Sequence, residues 1–199
     1  MTDCERRVVS RALEVRADID VPSTLTGYAA IFDSEAEIAG LFREVIRPGA
    51  FTAAVSRDDV RALFNHDPNF VIGRTSAGTL RLAEDASGLR YDVTPPDTSW
   101  ARDLMVSVQR GDISQSSFGF SVTRDQWHQP STRSGLPLRE ILEVSLYDVS
   151  PVAFPAYDAT SVSARDRASA FVHPSPDVRA DIDRRRMDLR RRELALKGR

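Results

Sequence analysis

The feature that most limits the possible folds is a pair of short segments in which apolar and polar residues alternate. Residues 79–82 and residues 89–93 show this period of two, and a polar stretch that ends in Gly88 separates them. Alternating segments on either side of a glycine-containing turn are typical of a β-hairpin. The sequence therefore predicts an antiparallel sheet.

Further strands and two helices are predicted around this hairpin. The other segments with the aliphatic and aromatic content of strands are residues 26–32, 113–122 and 141–149. A short helix is expected after Pro48, and Asp97 is expected to cap a second helix that ends at Gly111. The apolar stripe of this second helix consists of Ala101, Leu104, Met105 and Val108. We therefore expect a mixed α and β fold that is dominated by strands.

Charge divides the chain into a body and a tail. Residues 165–199 contain 11 Arg or Lys and six Asp or Glu, a net charge of +5, although the whole chain of 199 residues has a net charge of -2. Residues 1–25 are polar. We expect a frayed polar lead-in over residues 1–25, one core domain over residues 26–164, and a charged tail over residues 165–199 that is helical or partly disordered.

Several functional classes are disfavoured by what the sequence lacks. No segment reaches the length of a membrane span, and the single cysteine, Cys4, has no partner for an internal disulfide. No Cys/His pair has metal-ligand spacing, and the glycine-rich loops that bind nucleotides do not occur. We therefore expect a protein of a reducing, cytosolic compartment that uses neither a metal nor a cofactor.

A histidine stands at the end of one predicted strand. Residues 60–66 have alternating character, and the strand is expected to end in Asn-His-Asp, with His66 on the same face as Val60 and Phe64. An imidazole in this position can act as a general base if a nucleophile and an orienting acid come from elsewhere in the chain. The alternative is a structural histidine with satisfied hydrogen bonds.

A hydroxyl-rich strand follows 51 residues later. If residues 113–122 are extended, Ser117 and Gly119 lie on one face, whereas Ser116 and Phe118 lie on the other. Ser117 is therefore the better candidate for a nucleophile, because the missing side chain of Gly119 leaves space for an approaching group. The alternative is a serine that only contributes to a polar strand face.

Two acids lie in the next predicted strand. Glu143 and Asp148 have opposite facing in a regular strand, and Asp148 could change faces only through a bulge. An acid inside such a strand is unusual, because burying an ionised carboxylate without a partner is costly. We take Glu143 as the acid that would orient His66, with Asp148 and His128, from an expected loop over residues 124–139, as alternatives.

Several short motifs in this order resemble those of the caudoviral prohead proteases, over roughly residues 6–163. They are Gly27-Tyr-Ala-Ala-Ile-Phe32, Pro48-Gly-Ala-Phe51, Phe64-Asn-His-Asp67, Ile113-Ser-Gln-Ser-Ser-Phe-Gly-Phe120, Glu143-Val-Ser-Leu146 and Pro151-Val-Ala-Phe-Pro-Ala-Tyr157. Matched position by position, the resemblance implies His66, Ser117 and Glu143 as the catalytic residues. Gln115 and Ser116 stand where the family often has Gly-Met, so this chain has an additional neighbouring hydroxyl.

The resemblance also implies a fold, an activity and a setting. The family is regarded as distantly related to the herpesvirus assemblins, which implies a small, mostly antiparallel β-barrel ringed by short helices. The implied activity is that of a serine endopeptidase that cleaves capsid or scaffold protein, and itself, inside an immature phage head in the host cytoplasm. The implied partners are the major capsid protein and further copies of the chain, without a membrane or specific nucleic acid. The alternative is a non-catalytic capsid assembly or scaffolding factor with the same fold.

Overall fold

A computed structural model of the protein describes residues 4–9, 13–16, 23–130 and 135–154. These residues form eleven strands and two helices. The strands are β1 (Glu5–Val9), β2 (Glu14–Arg16), β3 (Thr24–Ile31), β4 (Ala36–Ile38), β5 (Phe42–Ile46), β6 (Arg61–Phe64), β7 (Asp67–Arg74), β8 (Leu80–Glu84), β9 (Gly88–Val93), β10 (Gln115–His128) and β11 (Leu138–Val152). The helices are α1 (Thr52–Arg57) and α2 (Ser99–Gln109). The predicted tail over residues 165–199 lies outside the described residues.

The strands pair in two sheets. A seven-stranded sheet has the order β1-β10-β11-β5-β4, and β6 pairs with the far end of β11 and with β7. A four-stranded sheet has the order β2-β3-β9-β8. Pairing is antiparallel except where β5 and β6 run parallel to β11. The β-dominated, mostly antiparallel fold and the β8–β9 hairpin are confirmed, but the described strands form two separate sheets and no closed barrel.

β10 and β11 form the long central hairpin of the larger sheet. Gly119 pairs with Asp148, but its neighbour Phe120 pairs with Leu146, so Tyr147 is an extra residue in β11. An extra residue of this kind is a β-bulge, and it reverses the facing of the residues that follow it. The predicted loop over residues 124–139 is shorter in the structure, because β10 continues to His128 and β11 begins at Leu138.

The helices cover an apolar core that both sheets supply. The predicted stripe of α2 is buried: Ala101, Leu104, Met105 and Val108. Burial of a leucine-sized side chain contributes about 1.5–3 kcal/mol, so this stripe is sufficient to hold the helix in place. Gly111 has φ +81° and ends the helix as predicted, whereas Asp97 pairs with Arg102 and the N-cap residue is Thr98. Neither described helix is long and apolar enough to cross a membrane.

The predicted frayed lead-in contains two strands, and β1 is fixed by buried ion pairs. Arg7 Nε lies 2.6 Å from Glu44 Oε1, and Arg7 NH2 lies 2.7 Å from Glu5 Oε2. Arg139 contacts Glu5 at 3.0 Å, Glu44 at 3.1 Å and Asp125 at 2.9 Å. Burial opposes the charge of Arg7, but Glu44 and Glu5 outweigh it and raise the pKa of the guanidinium. We name these five residues the charge cluster.

Candidate active site

His66 lies in a tight turn and not in a strand. The strand β6 ends at Phe64, which pairs with Asp67, so Asn65 and His66 form a two-residue hairpin turn. Both have positive φ, +54° for Asn65 and +57° for His66. Two-residue hairpin turns favour this left-handed conformation because it matches the twist of the strands. The predicted strand therefore ends two residues early, and the imidazole belongs to the turn.

Hydrogen bonds attach this turn to the end of β11. The N–H of Asn65 donates to the carbonyl oxygen of Pro151 at 3.0 Å, and its side-chain Oδ1 accepts from the N–H of Ala153 at 2.9 Å. A non-glycine residue in the left-handed region costs roughly 1–2 kcal/mol, least for asparagine, whose short side chain bonds locally. The Asn65 contacts offset that cost and fix the position of His66 relative to β11.

Ser117 occupies the middle of the larger sheet. β10 runs between β1 and β11, and Ser117 pairs with Val8 on one side and with Ser150 on the other. Ser116 points the opposite way, into the core, where its Oγ lies 2.8 Å from the hydroxyl of Tyr91. Burial raises the pKa of Tyr91, so this phenol stays neutral and shares a hydrogen bond with Ser116. The predicted facing of the two serines is confirmed.

The turn and the central hairpin bring three side chains together. His66 Nε2 lies 2.6 Å from Ser117 Oγ, and His66 Nδ1 lies 2.5 Å from Asp148 Oδ1. The exposed fractions of the His66 and Asp148 side chains are only 5% and 10%, so little water competes for these contacts. A serine, an imidazole and a carboxylate in this series can perform nucleophilic acyl transfer.

The structure does not bring Glu143 to His66. The Glu143 carboxylate is half-exposed and lies 3.7 Å from Arg124 Nε. Glu143 lies on the same face as Ser145, which pairs with Ser121, but it pairs with Arg124, far along β10 from Ser117. Asp148 pairs with Gly119, and the bulge at Tyr147 brings it onto the face of Ser117. The alternative that depended on a bulge is the one that the geometry supports.

The second alternative, His128, also lies away from His66. It ends β10, and its Nε2 is 3.2 Å from Glu140 Oε2. Arg47 and, to a smaller extent, His128 lower the pKa of Glu140. His128 therefore lies with Glu140 and Arg47 near the β10–β11 connection, at the end of the hairpin opposite to Ser117.

Gly119 allows the carboxylate to reach its position. A Cβ atom at Gly119 would overlap Asp148 Oδ2, with Cys4 Sγ only 3.7 Å away. The sequence identified Gly119 as open space for an approaching group, but the space beside it contains the Asp148 carboxylate. A glycine opposite an acid in the paired strand is the sequence signal that could have identified this pair.

A β-rich scaffold that holds a serine, a histidine and an aspartate in a hydrogen-bonded series is an arrangement found in serine proteases. The chain belongs to the caudovirus prohead serine protease family, whose sequence model matches residues 11–173. This finding confirms the family that the sequence motifs indicated.

Two known proteins are similar to this chain. Over 148 residues it is 32% identical to the prohead protease of Enterobacteria phage HK97. The matched region covers 69% of this chain and 58% of that relative. The chain thus spans little more than half the length of the HK97 protein. It also matches the structure of the bacteriophage T4 capsid assembly protease, gp21, with a TM-score of 0.48 and 11% identity over 77% of this chain and 98% of the other.

Proposed function

We propose that this chain is a serine endopeptidase of prohead maturation, in which Ser117 is the nucleophile, His66 the general base and Asp148 the orienting acid. The observation that carries the proposal is the 2.6 Å contact between His66 Nε2 and Ser117 Oγ. A nucleophile and its base must lie within hydrogen-bond reach of each other, and this distance fulfils that condition. Asp148 takes the role that the sequence assigned to Glu143.

The contacts support one proton path for the proposed reaction. Ser117 Oγ donates its proton to His66 Nε2 as it attacks the scissile carbonyl carbon, and the imidazolium then passes that proton to the leaving amine. Water subsequently hydrolyses the acyl group on Ser117 by the same route. The proposed part of Asp148 is to accept the Nδ1–H hydrogen bond and to stabilise the imidazolium.

The proposed substrates are capsid or scaffold protein and the chain itself. Support comes from the family and from the similarity to the HK97 prohead protease. The proposed setting is the immature phage head in the host cytoplasm, with further copies of the chain as possible partners. The distant relation to the assemblins and the separate charged tail remain predictions from the sequence.

An active-site probe tests the proposed nucleophile without knowledge of the cleavage sequence. The purified full chain is treated with a fluorophosphonate, and intact mass and peptide mapping locate the adduct. We expect labelling at Ser117 and a loss of labelling in Ser117→Ala and His66→Ala. Ser116→Ala is the matched control, because Ser116 is the adjacent hydroxyl but faces the core.

The same variants test the proposed substrates. With the major capsid protein co-expressed, the wild-type chain should produce shorter capsid and self-cleavage products, and Ser117→Ala should leave both proteins intact. Loss of one triad residue typically lowers turnover by on the order of 10⁴-fold or more. Cleavage that survives in Ser117→Ala would refute the assignment, and a chain that assembles capsid protein without any cleavage would favour a scaffolding factor.

A further inference from the structure

A second buried serine contacts the His66–Asp148 pair. Ser150 is fully buried, and its Oγ lies 2.7 Å from Asp148 Oδ1 and 3.3 Å from His66 Nδ1. It pairs with Ser117 across the β10–β11 ladder and, like Asp148, follows the bulge at Tyr147. The reaction described above does not use this hydroxyl.

The donors and acceptors at this site determine where the Ser150 proton points. If His66 Nε2 accepts the Ser117 proton, the neutral ring carries its own proton on Nδ1, and Nδ1 cannot accept another. An ionised Asp148 can only accept, so the Ser150 hydroxyl at 2.7 Å donates to Oδ1. Oδ1 therefore accepts hydrogen bonds from both His66 Nδ1–H and the Ser150 hydroxyl, and these two bonds hold the carboxylate in place.

We propose that Ser150 is a positioning residue that fixes the Asp148 carboxylate and thereby the proton-accepting form of His66. This inference rests on the proposed function of the Ser117–His66–Asp148 site. The Ser150 hydroxyl contacts Asp148 and His66 Nδ1, so it would act through Asp148. A hydrogen bond from a buried neutral donor to a charged acceptor is one of the stronger kinds in proteins.

Removing this donor has two expected effects on the reaction. The carboxylate loses one of its two attachments, so the limiting rate of fluorophosphonate labelling should fall by on the order of tenfold in Ser150→Ala. The remaining charge of Asp148 is also less compensated and stabilises the imidazolium more strongly. The rise of the labelling rate with pH should therefore move to higher pH than in the wild type.

Other ionisable groups near this face are the same in all variants. They are Cys4, Arg6 opposite Gly119 in β1, Asp67 beside His66 and Tyr147 in β11. Burial raises the pKa of Cys4, and the Asp148 charge adds to this effect. Because none of these groups is changed, a difference between the pH profiles reports on the hydroxyl of Ser150.

The experiment compares Ser150→Ala, Ser150→Thr and Ser150→Cys in the full chain, with Ser116→Ala as the matched control. Ser116 and Ser150 are both fully buried serines in paired strands, but the Ser116 hydroxyl bonds to Tyr91 and not to His66 or Asp148. Ser150→Thr keeps the hydroxyl and should restore the wild-type pH profile. Ser150→Cys has a weaker donor of similar size, so its pH profile should shift by an intermediate amount. This variant keeps the inference testable if Ser150→Ala does not fold.

A spectroscopic measurement separates this inference from the proposed function. The chain has three histidines, so ring ¹⁵N resonances of His66 can be assigned and titrated in a Ser117→Ala background without peptidase activity. We expect the His66 titration to move to higher pH when Ser150 is changed to Ala and to remain in place with Ser116→Ala. An unchanged His66 titration and an unchanged pH profile in Ser150→Ala would overturn the positioning role. Labelling that does not depend on Ser117 would overturn the proposed nucleophile, and the His66 titration would still report whether Ser150 acts on the His66–Asp148 pair.

Discussion

At the scale of single residues, one extra residue in β11 allows Asp148 to reach the imidazole. Without the bulge at Tyr147, Asp148 would share the face of Val144 and Leu146, both of which are buried in the core. With it, Asp148 faces the side of the sheet that holds Ser117, and Gly119 leaves space for its carboxylate. The identity of the third residue is therefore a consequence of local backbone geometry.

This geometry predicts opposite results for two conservative substitutions. Asp148→Asn preserves size but removes the negative charge and introduces an NH2 donor that can select the wrong tautomer of His66, so the labelling rate at Ser117 should fall by on the order of 10⁴-fold. Glu143→Gln should stay within about twofold of the wild type, because the side chain is half-exposed and lies 3.7 Å from Arg124, away from His66. The rates are measured with the fluorophosphonate at several pH values.

Thermal unfolding of both variants serves as the control for this comparison. Asp148→Asn should remain folded, since the amide can still occupy the space beside Gly119. If Glu143→Gln abolished labelling and Asp148→Asn retained it, the carboxylate assignment would be reversed and the bulge would have no catalytic consequence.

At the scale of elements, the β6–β7 turn and the end of β11 behave as one unit. Asn65 supplies the left-handed backbone conformation of the turn and accepts the hydrogen bond from the N–H of Ala153. His66 follows directly, so any movement of this turn moves the imidazole relative to Ser117. The distance between His66 and Ser117 therefore depends on this turn and on its attachment to the end of β11.

Substitutions at Asn65 can separate conformation from anchoring. Asn65→Gly tolerates positive φ but loses the anchor to Ala153, Asn65→Asp retains both, and Asn65→Ala loses both. We expect labelling rates in the order Asp, Gly, Ala, with the Ala variant also destabilised by about 1–3 kcal/mol. Labelling kinetics and urea unfolding measure these two effects, and an Ala variant as active and stable as the wild type would contradict the role of this turn.

The sequence predicted those features that follow from a regular period. The β8–β9 hairpin, the buried stripe of α2 and the opposite facing of Ser116 and Ser117 all depend on periods of two or 3.6 that the structure maintains. The bulge at Tyr147 and the end of β6 before His66 break the period, so no count along the sequence could place them. Both breaks lie at the candidate site, which is where local rules are most often violated.

At the scale of the whole molecule, the charge cluster connects the chain's beginning to the strands beside the site. Glu5 and Arg7 belong to β1, Glu44 to β5, Asp125 to β10 and Arg139 to β11, so one cluster joins four strands of the larger sheet. From the sequence alone, β1 belonged to a polar lead-in, because the partners of its charges lie 37 and 134 residues away. β1 flanks the Ser117 strand, so the cluster also supports the site.

The last prediction concerns the removal of one cation from this cluster. Arg139→Ala leaves the carboxylates of Glu5, Glu44 and Asp125 buried with Arg7 as the remaining cation of the cluster, and breaking a buried pair in this way costs about 3–5 kcal/mol. The matched control is Arg43→Ala, which removes an arginine from the exposed pair with Glu35 and should cost at most about 1 kcal/mol.

Urea unfolding gives the free energy of unfolding for each variant, and hydrogen exchange of the amides of β1 shows whether this strand separates from β10 before the rest of the sheet unfolds. Because Ser117 pairs with Val8 of β1, we expect Arg139→Ala to lose labelling at a lower urea concentration than the wild type does. Equal stabilities of the two variants would mean that the cluster contributes no more than a surface ion pair and that other contacts hold β1.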